Sequence, residues 1–177
     1  MLDEKRIKEA EKNVREYIQS GMLKKQPFRE EILKVLKDNA NDSLEAAEFL
    51  SENSKSDLWI IVTSYYSMFY IANAVLFKIG YKVGDKIAHK VTADALIVHV
   101  RNKLKKRLLE EYEEAQNEAL PGIKADTLID EFDKERAKRG TLQYQTTSVE
   151  KHSKAITSLK RAKSFIFEME KLLGDLK

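Results

Sequence analysis

The feature that most constrains this fold is an uncharged stretch of twenty residues, LWIIVTSYYSMFYIANAVLF, from Leu58 to Phe77. As one helix it is about 30 Å long, which matches the hydrocarbon core of a bilayer. Lipid, however, offers no hydrogen-bond partners to the polar-tipped side chains in its middle, which are Thr63, Ser64, Tyr65, Tyr66, Ser67, Tyr70 and Asn73. No second span and no signal-peptide pattern accompanies it. We therefore predict a buried helix of a soluble protein and no membrane contact.

At 100° per residue this helix has two distinct faces. One face is apolar and suits the core of a helical bundle, with Ile61, Val62, Tyr65, Met68, Phe69, Ala72 and Leu76. The opposite face combines apolar bodies with hydroxyl or amide tips, on Thr63, Tyr66, Ser67, Tyr70 and Asn73. Such a face suits a partner helix, a subunit interface or a cleft. We expect Tyr66, Tyr70 and Asn73 to lie in an interface or cleft, and the residue types leave open which it is.

The composition of the 177-residue chain favours a single all-helical domain. The 32 Lys and Arg exceed the 29 Asp and Glu by only three, an excess too small to indicate nucleic-acid binding by itself. The absence of Cys excludes disulfides, a thiolate nucleophile and Cys-based zinc sites, and predicts a cytoplasmic location. Six Gly and two Pro leave few breaks between helices.

Apolar residues recur at helical spacing along most of the chain, and no strand pattern is visible. The predicted helical segments are 3–20, 32–50, 57–77, 86–119, 125–139 and 147–173. Gly21, Pro27 and the PGI sequence at 121–123 mark breaks, and Thr147 with Glu150 resembles a capping box. Five or six helices with short connections predict a bundle.

The common catalytic signatures are missing from the sequence. A di-iron bundle needs Glu-x-x-His pairs, and none of His89, His99 and His152 has Glu three positions earlier. The phosphate-binding loop, the dinucleotide fingerprint and the nucleophile elbow are also absent, so we predict no metal and no cofactor. We expect His99 and His152 to be core residues. His89, at a helix start, is open to a functional role or to a structural one as a cap.

The loop ERAKRGTLQYQTT carries the residues best suited to bind an anion. Arg136 and Arg139 supply guanidinium groups close to the predicted start of the last helix, where free N–H groups favour phosphate. The structural alternative is that Arg139 caps its own helix while Tyr144 anchors the loop against the core. The basic runs 102–107 and 159–163 have the same two interpretations, as a phosphate-binding stripe or as a solvated face.

Together these residues resemble a known family. WIIVTSYYSMFYIANAVLFKIGY is similar to the tyrosine-rich helix of HEPN domains (higher eukaryotes and prokaryotes nucleotide-binding), in a prokaryotic branch with a YYxMF signature. KIAHKVTADAL resembles the His-containing segment that follows, RGTLQY the Arg-x4-Tyr loop, and DSLEAAEFL the first core helix of that branch. The resemblance covers about residues 35–173 and omits the first helix.

The resemblance implies an up-and-down bundle of four to five core helices in residues 28–177, preceded by an N-terminal helix and linker in residues 1–27. It also implies a homodimer with a cleft between the subunits. Many HEPN proteins are metal-independent ribonucleases of toxin-antitoxin or other defence systems, some beside a minimal nucleotidyltransferase antitoxin, and their catalytic motif is Arg-x4-6-His.

This sequence departs from that motif because Tyr144 stands where the His is expected. A phenol with a pKa of about 10 is a poor base near neutral pH, so His89 is the substitute that we name. One hypothesis is a dimeric nucleotide- or RNA-binding regulatory module with a nucleotidyltransferase partner. The alternative is a metal-independent endoribonuclease with Arg139 as phosphate clamp and Tyr144 and His89 as further catalytic candidates. Tyr144 is also a candidate acceptor of a nucleotide from the partner.

Overall fold

The computed structural model describes the backbone of residues 2–132 and 148–176, and the side chains of 2–121 and 151–176. The described elements are mostly helical, with two short strands and one 3-10 turn at Arg101–Lys103. In chain order they are α1 (Glu4–Gln19), β1 (Leu23–Lys25), α2 (Glu30–Glu52), α3 (Asp57–Lys78), β2 (Tyr81–Val83), α4 (Ala88–His99), α5 (Lys106–Phe132) and α6 (Ser148–Asp175).

Helix α3 is the uncharged segment, and it forms the centre of the bundle. It begins at Asp57, where the Ser56 hydroxyl accepts a hydrogen bond from the Trp59 backbone N–H at 3.5 Å. The helix packs against α2, α4, α5 and α6. Among the described helices, α3 alone has the length and hydropathy of a membrane span, and 72% of that window is buried inside the protein. This burial supports the predicted core helix of a soluble protein.

Helix α1 belongs to the same hydrophobic core as the other helices. It packs mainly against α4 and buries Ala10, Val14 and Tyr17. The Asp3 side chain caps its start by accepting from the Arg6 backbone N–H at 2.8 Å. The division of the chain near residue 27 stays a prediction.

The expectation of no strands was wrong. Strands β1 and β2 form an antiparallel ribbon with Leu23 opposite Val83 and Lys25 opposite Tyr81. Gly80, at φ +89°, makes the turn from α3 into β2, a conformation that residues with a Cβ rarely adopt. Three-residue strands are too short to show an alternating pattern, and their pairing joins distant parts of the chain.

Two helix boundaries also differ from the predicted ones. The segment 86–119 is divided, because α4 ends at His99 and a 3-10 turn precedes α5. Pro121 does not end a helix, since α5 continues through it to Phe132. A proline inside a helix removes one backbone hydrogen bond, at a cost of about 3 kcal/mol or more, yet neither Pro121 nor the following Gly122 ends α5. Residues 133–139 and the Thr147 capping box lie outside the described residues. The helical bundle is as predicted at the level of the all-α class, and the HEPN-like arrangement stays a prediction.

Candidate functional site

A groove opens where the polar face of α3 meets the end of β2 and the start of α4. Its volume is about 330 Å³, and it is lined by Leu36, Tyr66, Phe69, Tyr70, Asn73, Val83, Gly84, Asp85, Ala88 and His89. The three residues expected in an interface or cleft therefore lie in one groove. The position of His89 beside them was not predicted, because the turn between α3 and α4 brings it there.

The groove wall is a cluster of aromatic rings. The His89 ring lies 4.5 Å from Phe69 and 5.9 Å from Tyr66, centroid to centroid. Tyr66 in turn lies 6.0 Å from Tyr70. All four side chains are partly exposed, so their ring surfaces are accessible from the groove. Flat, partly exposed rings of this kind are surfaces on which a planar ligand can stack.

A hydrogen bond to a buried tyrosine fixes the orientation of His89. The Tyr65 hydroxyl and His89 Nδ1 are 2.8 Å apart, and Tyr65 is only 1% exposed. Burial raises the pKa of Tyr65, so this hydroxyl keeps its proton. We assign the phenol as the donor and Nδ1 as the acceptor of this hydrogen bond, which places the ring hydrogen on Nε2. His89 thus offers the groove an N–H donor.

Burial also lowers the pKa of His89 below its ordinary value of 6.5. The imidazole is therefore neutral at physiological pH. A neutral ring stacks and donates one hydrogen bond from Nε2, but it contributes no fixed positive charge. Any charge complementarity to an anionic ligand must come from other groups.

The start of α4 supplies backbone donors at the same groove. Ile87 occupies the N-cap position with a left-handed backbone at φ +46°, and no side chain caps the helix. The first N–H groups of a helix have no partner within the helix, and together with the helix dipole they favour an anion. Ala88 and His89, the first two residues of α4, both line the groove.

Asn73 and Asp85 complete the polar lining. The Asn73 side-chain N–H₂ donates to the Phe69 carbonyl at 2.8 Å and to the Thr92 hydroxyl at 3.3 Å. Asn73 therefore ties α3 to α4 and has limited capacity for a ligand. Asp85 places a carboxylate at the end of the groove that lies beside β2, where it can accept hydrogen bonds from hydroxyl or amino groups.

The predicted anion-binding residues Arg136, Arg139 and Tyr144 lie outside the described residues, so the anion-binding loop stays a prediction.

The expectation that His152 faces the core was wrong. Its side chain is 58% exposed and pairs with Asp57 at 3.0 Å, because α6 presents this position toward the start of α3.

His99 is only partly a core residue. Its ring stacks on Tyr81 of the ribbon, with centroids 4.1 Å apart, and burial lowers its pKa. Its Nε2 is buried and has no hydrogen-bond partner among the described residues, while the side chain as a whole is only partly buried, so the expected core position is found only in part. The sequence analysis did not predict the ribbon that covers His99, and for this reason it did not predict the environment of the His99 ring.

A second polar cluster on α4 was also missed. Asp94 is fully buried and accepts hydrogen bonds from Asn13 at 3.0 Å and from the Tyr17 hydroxyl at 2.9 Å. Its other oxygen pairs with Arg6, which also reaches Glu113 at 2.7 Å. This closed cluster fastens α1 to α4 and α5. The partners of Asp94 are about eighty positions away, so no local sequence signal indicates it.

Within the described residues, no three His, Cys, Asp or Glu side chains are grouped to hold a metal ion. Searches of protein-family models and of curated proteins give no match to this chain. A function for the chain therefore has to rest on the groove and on the sequence resemblance.

Proposed function

We propose that the chain is a HEPN-like nucleotide- or RNA-binding module that acts as a homodimer in the cytoplasm, in a toxin-antitoxin or defence system with a minimal nucleotidyltransferase partner. The observation that carries this proposal is the groove, in which aromatic rings, an imidazole N–H and an uncapped helix start lie side by side. The family, the partner and the dimer rest on the sequence resemblance.

The chemistry of a nucleotide matches this lining part by part. A base stacks on the rings of Tyr66 and Tyr70, an interaction available to every base because each has a flat π face. A phosphate accepts hydrogen bonds from His89 Nε2 and from the N–H groups at the start of α4. The Asp85 carboxylate accepts from a ribose hydroxyl or an exocyclic amine.

The state of His89 favours binding over catalysis. A general base must present an unprotonated nitrogen to the group that it deprotonates. With Tyr65 assigned as the donor to Nδ1, the second nitrogen, Nε2, carries the hydrogen and acts as a donor. The endoribonuclease alternative stays a prediction that depends on Arg139 and Tyr144. Cutting of single-stranded RNA in EDTA that Arg139→Ala abolishes would support it.

The test of the proposed function is a binding titration by calorimetry with ribonucleoside monophosphates and with a short single-stranded RNA. Tyr70→Leu keeps a side chain in the groove wall but removes the stacking surface. Because stacking contributes about 1–3 kcal/mol per base, we expect affinity to fall about 5- to 150-fold. Light scattering on the same samples reports whether the protein is a dimer.

Trp59→Leu is the matched control. Trp59 is 44% exposed and lies eleven positions before Tyr70 on the same helix, about 16 Å along its axis and outside the groove lining. Its replacement should leave affinity unchanged. Absence of binding by wild type at millimolar ligand, or an equal loss in both variants, would overturn the proposed groove.

A further inference from the structure

Four large apolar side chains project into solvent from helices α2 and α6, and none of them lines the groove. They are Val35 and Phe49 of α2 and Ile156 and Phe167 of α6, and each is more than half exposed. At 100° per residue, separations of fourteen positions in α2 and eleven in α6 return each pair to within about 40° of one direction. Each helix therefore carries one exposed apolar stripe.

An ion pair joins the two stripes. Lys163 Nζ lies 2.6 Å from a Glu48 carboxylate oxygen, across the contact between α6 and α2. Glu48 is next to Phe49 in the chain, and Lys163 stands four positions before Phe167 on the same side of α6. The stripes therefore lie side by side on one surface of the bundle. We name this surface the α2–α6 face and define it by Val35, Phe49, Ile156 and Phe167.

The two helices of this face carry opposite charge. Helix α2 contains seven acids and two lysines. Its exposed residues include four acids, Glu31, Asp38, Asp42 and Glu45. The exposed residues beside the apolar stripe of α6 include three lysines and one acid, Lys160, Lys163, Lys171 and Glu170. The α2–α6 face is therefore negative along α2 and positive along α6.

Such a face is complementary to a second copy of itself. A two-fold axis that runs along the helices lays α2 of one subunit on α6 of the other, and the reverse contact follows from the symmetry. Acids then meet lysines at both contacts, and the apolar stripes meet between them. An axis across the helices would instead lay α2 on α2, acid against acid. RNA or an anionic membrane would be repelled by the acids of α2 in the same way.

The size of the face fits a stable dimer. The 23 residues of α2 give a length of about 35 Å, and two helices side by side are about 20 Å wide. The face therefore offers about 700 Å² per subunit, close to the roughly 800 Å² per partner of standard stable interfaces. Its exposed apolar side chains would supply the anchors that such interfaces bury at their centre.

We propose that the α2–α6 face docks a second copy of the chain, with α2 of each subunit against α6 of the other. This inference rests on the dimer of the proposed function and adds the surface and the pairing of helices. The groove lies on another flank of α2, since Leu36, which lines it, is twelve positions or about 120° from Glu48. Both grooves therefore stay open in the dimer, and each subunit binds its ligand without a contribution from the other.

Sedimentation equilibrium of full-length protein over a range of concentrations tests the surface. Phe167→Ser removes an anchor that is 68% exposed, so it should leave the fold intact. We expect the dissociation constant of the dimer to rise at least about 30-fold, as for a residue at the centre of an interface. The matched control is Trp59→Ser, which removes an exposed aromatic ring from the polar face of α3 and should leave the dimer unchanged.

A charge swap tests the pairing of α2 with α6. Asp42→Lys with Glu45→Lys makes both contacts repulsive, and so does Lys160→Glu with Lys171→Glu. Each double variant should be monomeric, although the two change the net charge in opposite directions. The chain that carries all four substitutions should dimerise again, because its lysines stand on α2 and its acids on α6. Circular dichroism checks that every variant is folded.

A monomeric wild type overturns the inference, and so does a dimer that Phe167→Ser leaves as tight as before. Equal weakening by Trp59→Ser, or no recovery in the fourfold variant, also overturns it. A monomer that binds vesicles of anionic lipid through Phe167 would assign the face to a membrane instead.

The nucleotide titration separates this inference from the proposed groove. Phe167→Ser should leave the affinity of the groove for a monophosphate unchanged, because the two surfaces lie on different flanks of α2. Monomeric protein that binds the monophosphate keeps the groove and overturns the interface. A dimer through the α2–α6 face that binds no nucleotide keeps the interface and overturns the groove.

Discussion

Helix α4 carries two polar clusters, and they differ in how the α4 side chain at the centre of each is hydrogen-bonded. In the closed cluster, Asp94 is surrounded by Arg6, Asn13 and Tyr17 from α1, so both of its oxygens have partners inside the protein. In the groove, His89 has one internal hydrogen-bond partner, Tyr65, and its Nε2 has no partner among the described residues. The comparison separates groups that hold the fold together from groups that remain available to a ligand.

The largest expected effect comes from breaking the closed cluster with Asp94→Ala. This change leaves Arg6 partly buried with Glu113 as its only described ion-pair partner and leaves the Tyr17 hydroxyl without an acceptor. We expect the free energy of unfolding to fall by about 3–5 kcal/mol, as for other buried ion pairs that lose one partner. Urea denaturation measures it.

The control for that change is Asp38→Ala, which breaks the exposed ion pair with Lys34. Its carboxylate is 51% exposed, so the cost should be at most about 1 kcal/mol. Equal losses from the two variants would contradict the structural role assigned to the closed cluster.

A sharper comparison removes one hydroxyl from each cluster. Tyr65→Phe and Tyr17→Phe each delete a hydrogen bond, of 2.8 Å and 2.9 Å respectively. The first should cost about 1 kcal/mol of stability, and the second about 1.5–3 kcal/mol because the Tyr17 hydroxyl donates to the buried Asp94 carboxylate. Only Tyr65→Phe should allow the His89 ring hydrogen to occupy either nitrogen. This variant should weaken ligand binding in the groove about fivefold.

The tautomer is read from the imidazole ¹⁵N chemical shifts of His89 at neutral pH. Wild type and Tyr17→Phe should show the hydrogen on Nε2, and Tyr65→Phe should show a mixture. A wild-type spectrum with the hydrogen on Nδ1 would contradict the donor role of Nε2 and would make His89 a candidate general base again.

The smallest expected effect is a pH dependence that arises from His89 in the groove. Burial lowers the pKa of His89 below 6.5 in the folded chain, so as pH falls the unfolded chain binds the proton first. The contribution of His89 to the free energy of unfolding is therefore fully present above pH 6.5. It is lost as the pH falls from 6.5 to the lower pKa that His89 has in the folded chain.

Urea midpoints at pH 7.5 and 5.5 test that prediction, with wild type less stable at the lower pH. His89→Gln should reduce the difference, and His99, whose pKa burial also lowers, accounts for part of what remains. Arg6 of the closed cluster does not titrate in this window, because burial lowers its pKa but the hydrogen bonds and charges of Asp94 and Glu113 outweigh burial and raise it overall. An unchanged pH difference in His89→Gln would contradict the assignment.

Local sequence signals predicted the parts of the fold that depend on local interactions. The start of α3 at Asp57 followed from the cap residues before it, and the face that includes Ile61, Tyr65 and Met68 is buried as its spacing indicated. His152 was misplaced because an apolar stripe does not reveal that this position of α6 lies beside Asp57 at the start of α3, where the side chain stays exposed.

What the sequence did not reveal depends on contacts between distant segments. Asp94 is an ordinary acid in a helical pattern until Arg6 and Tyr17 reach it from α1. Lys24 and Lys82 are unremarkable until the ribbon pairs them. The basic runs noticed in the sequence differ from these, since Arg107 and Arg161 of those runs are engaged by Glu111 and Glu114.

The uncharged central helix has a consequence for how the chain is made. During synthesis α3 emerges before α5 and α6, the helices that later cover it, and until then the nascent chain presents a segment with the length and hydropathy of a membrane span. Helix α2, which precedes α3 and packs along it, is the cover that is available first. We expect early pairing of these two neighbours to limit aggregation of the nascent chain and its mistaken delivery to a membrane.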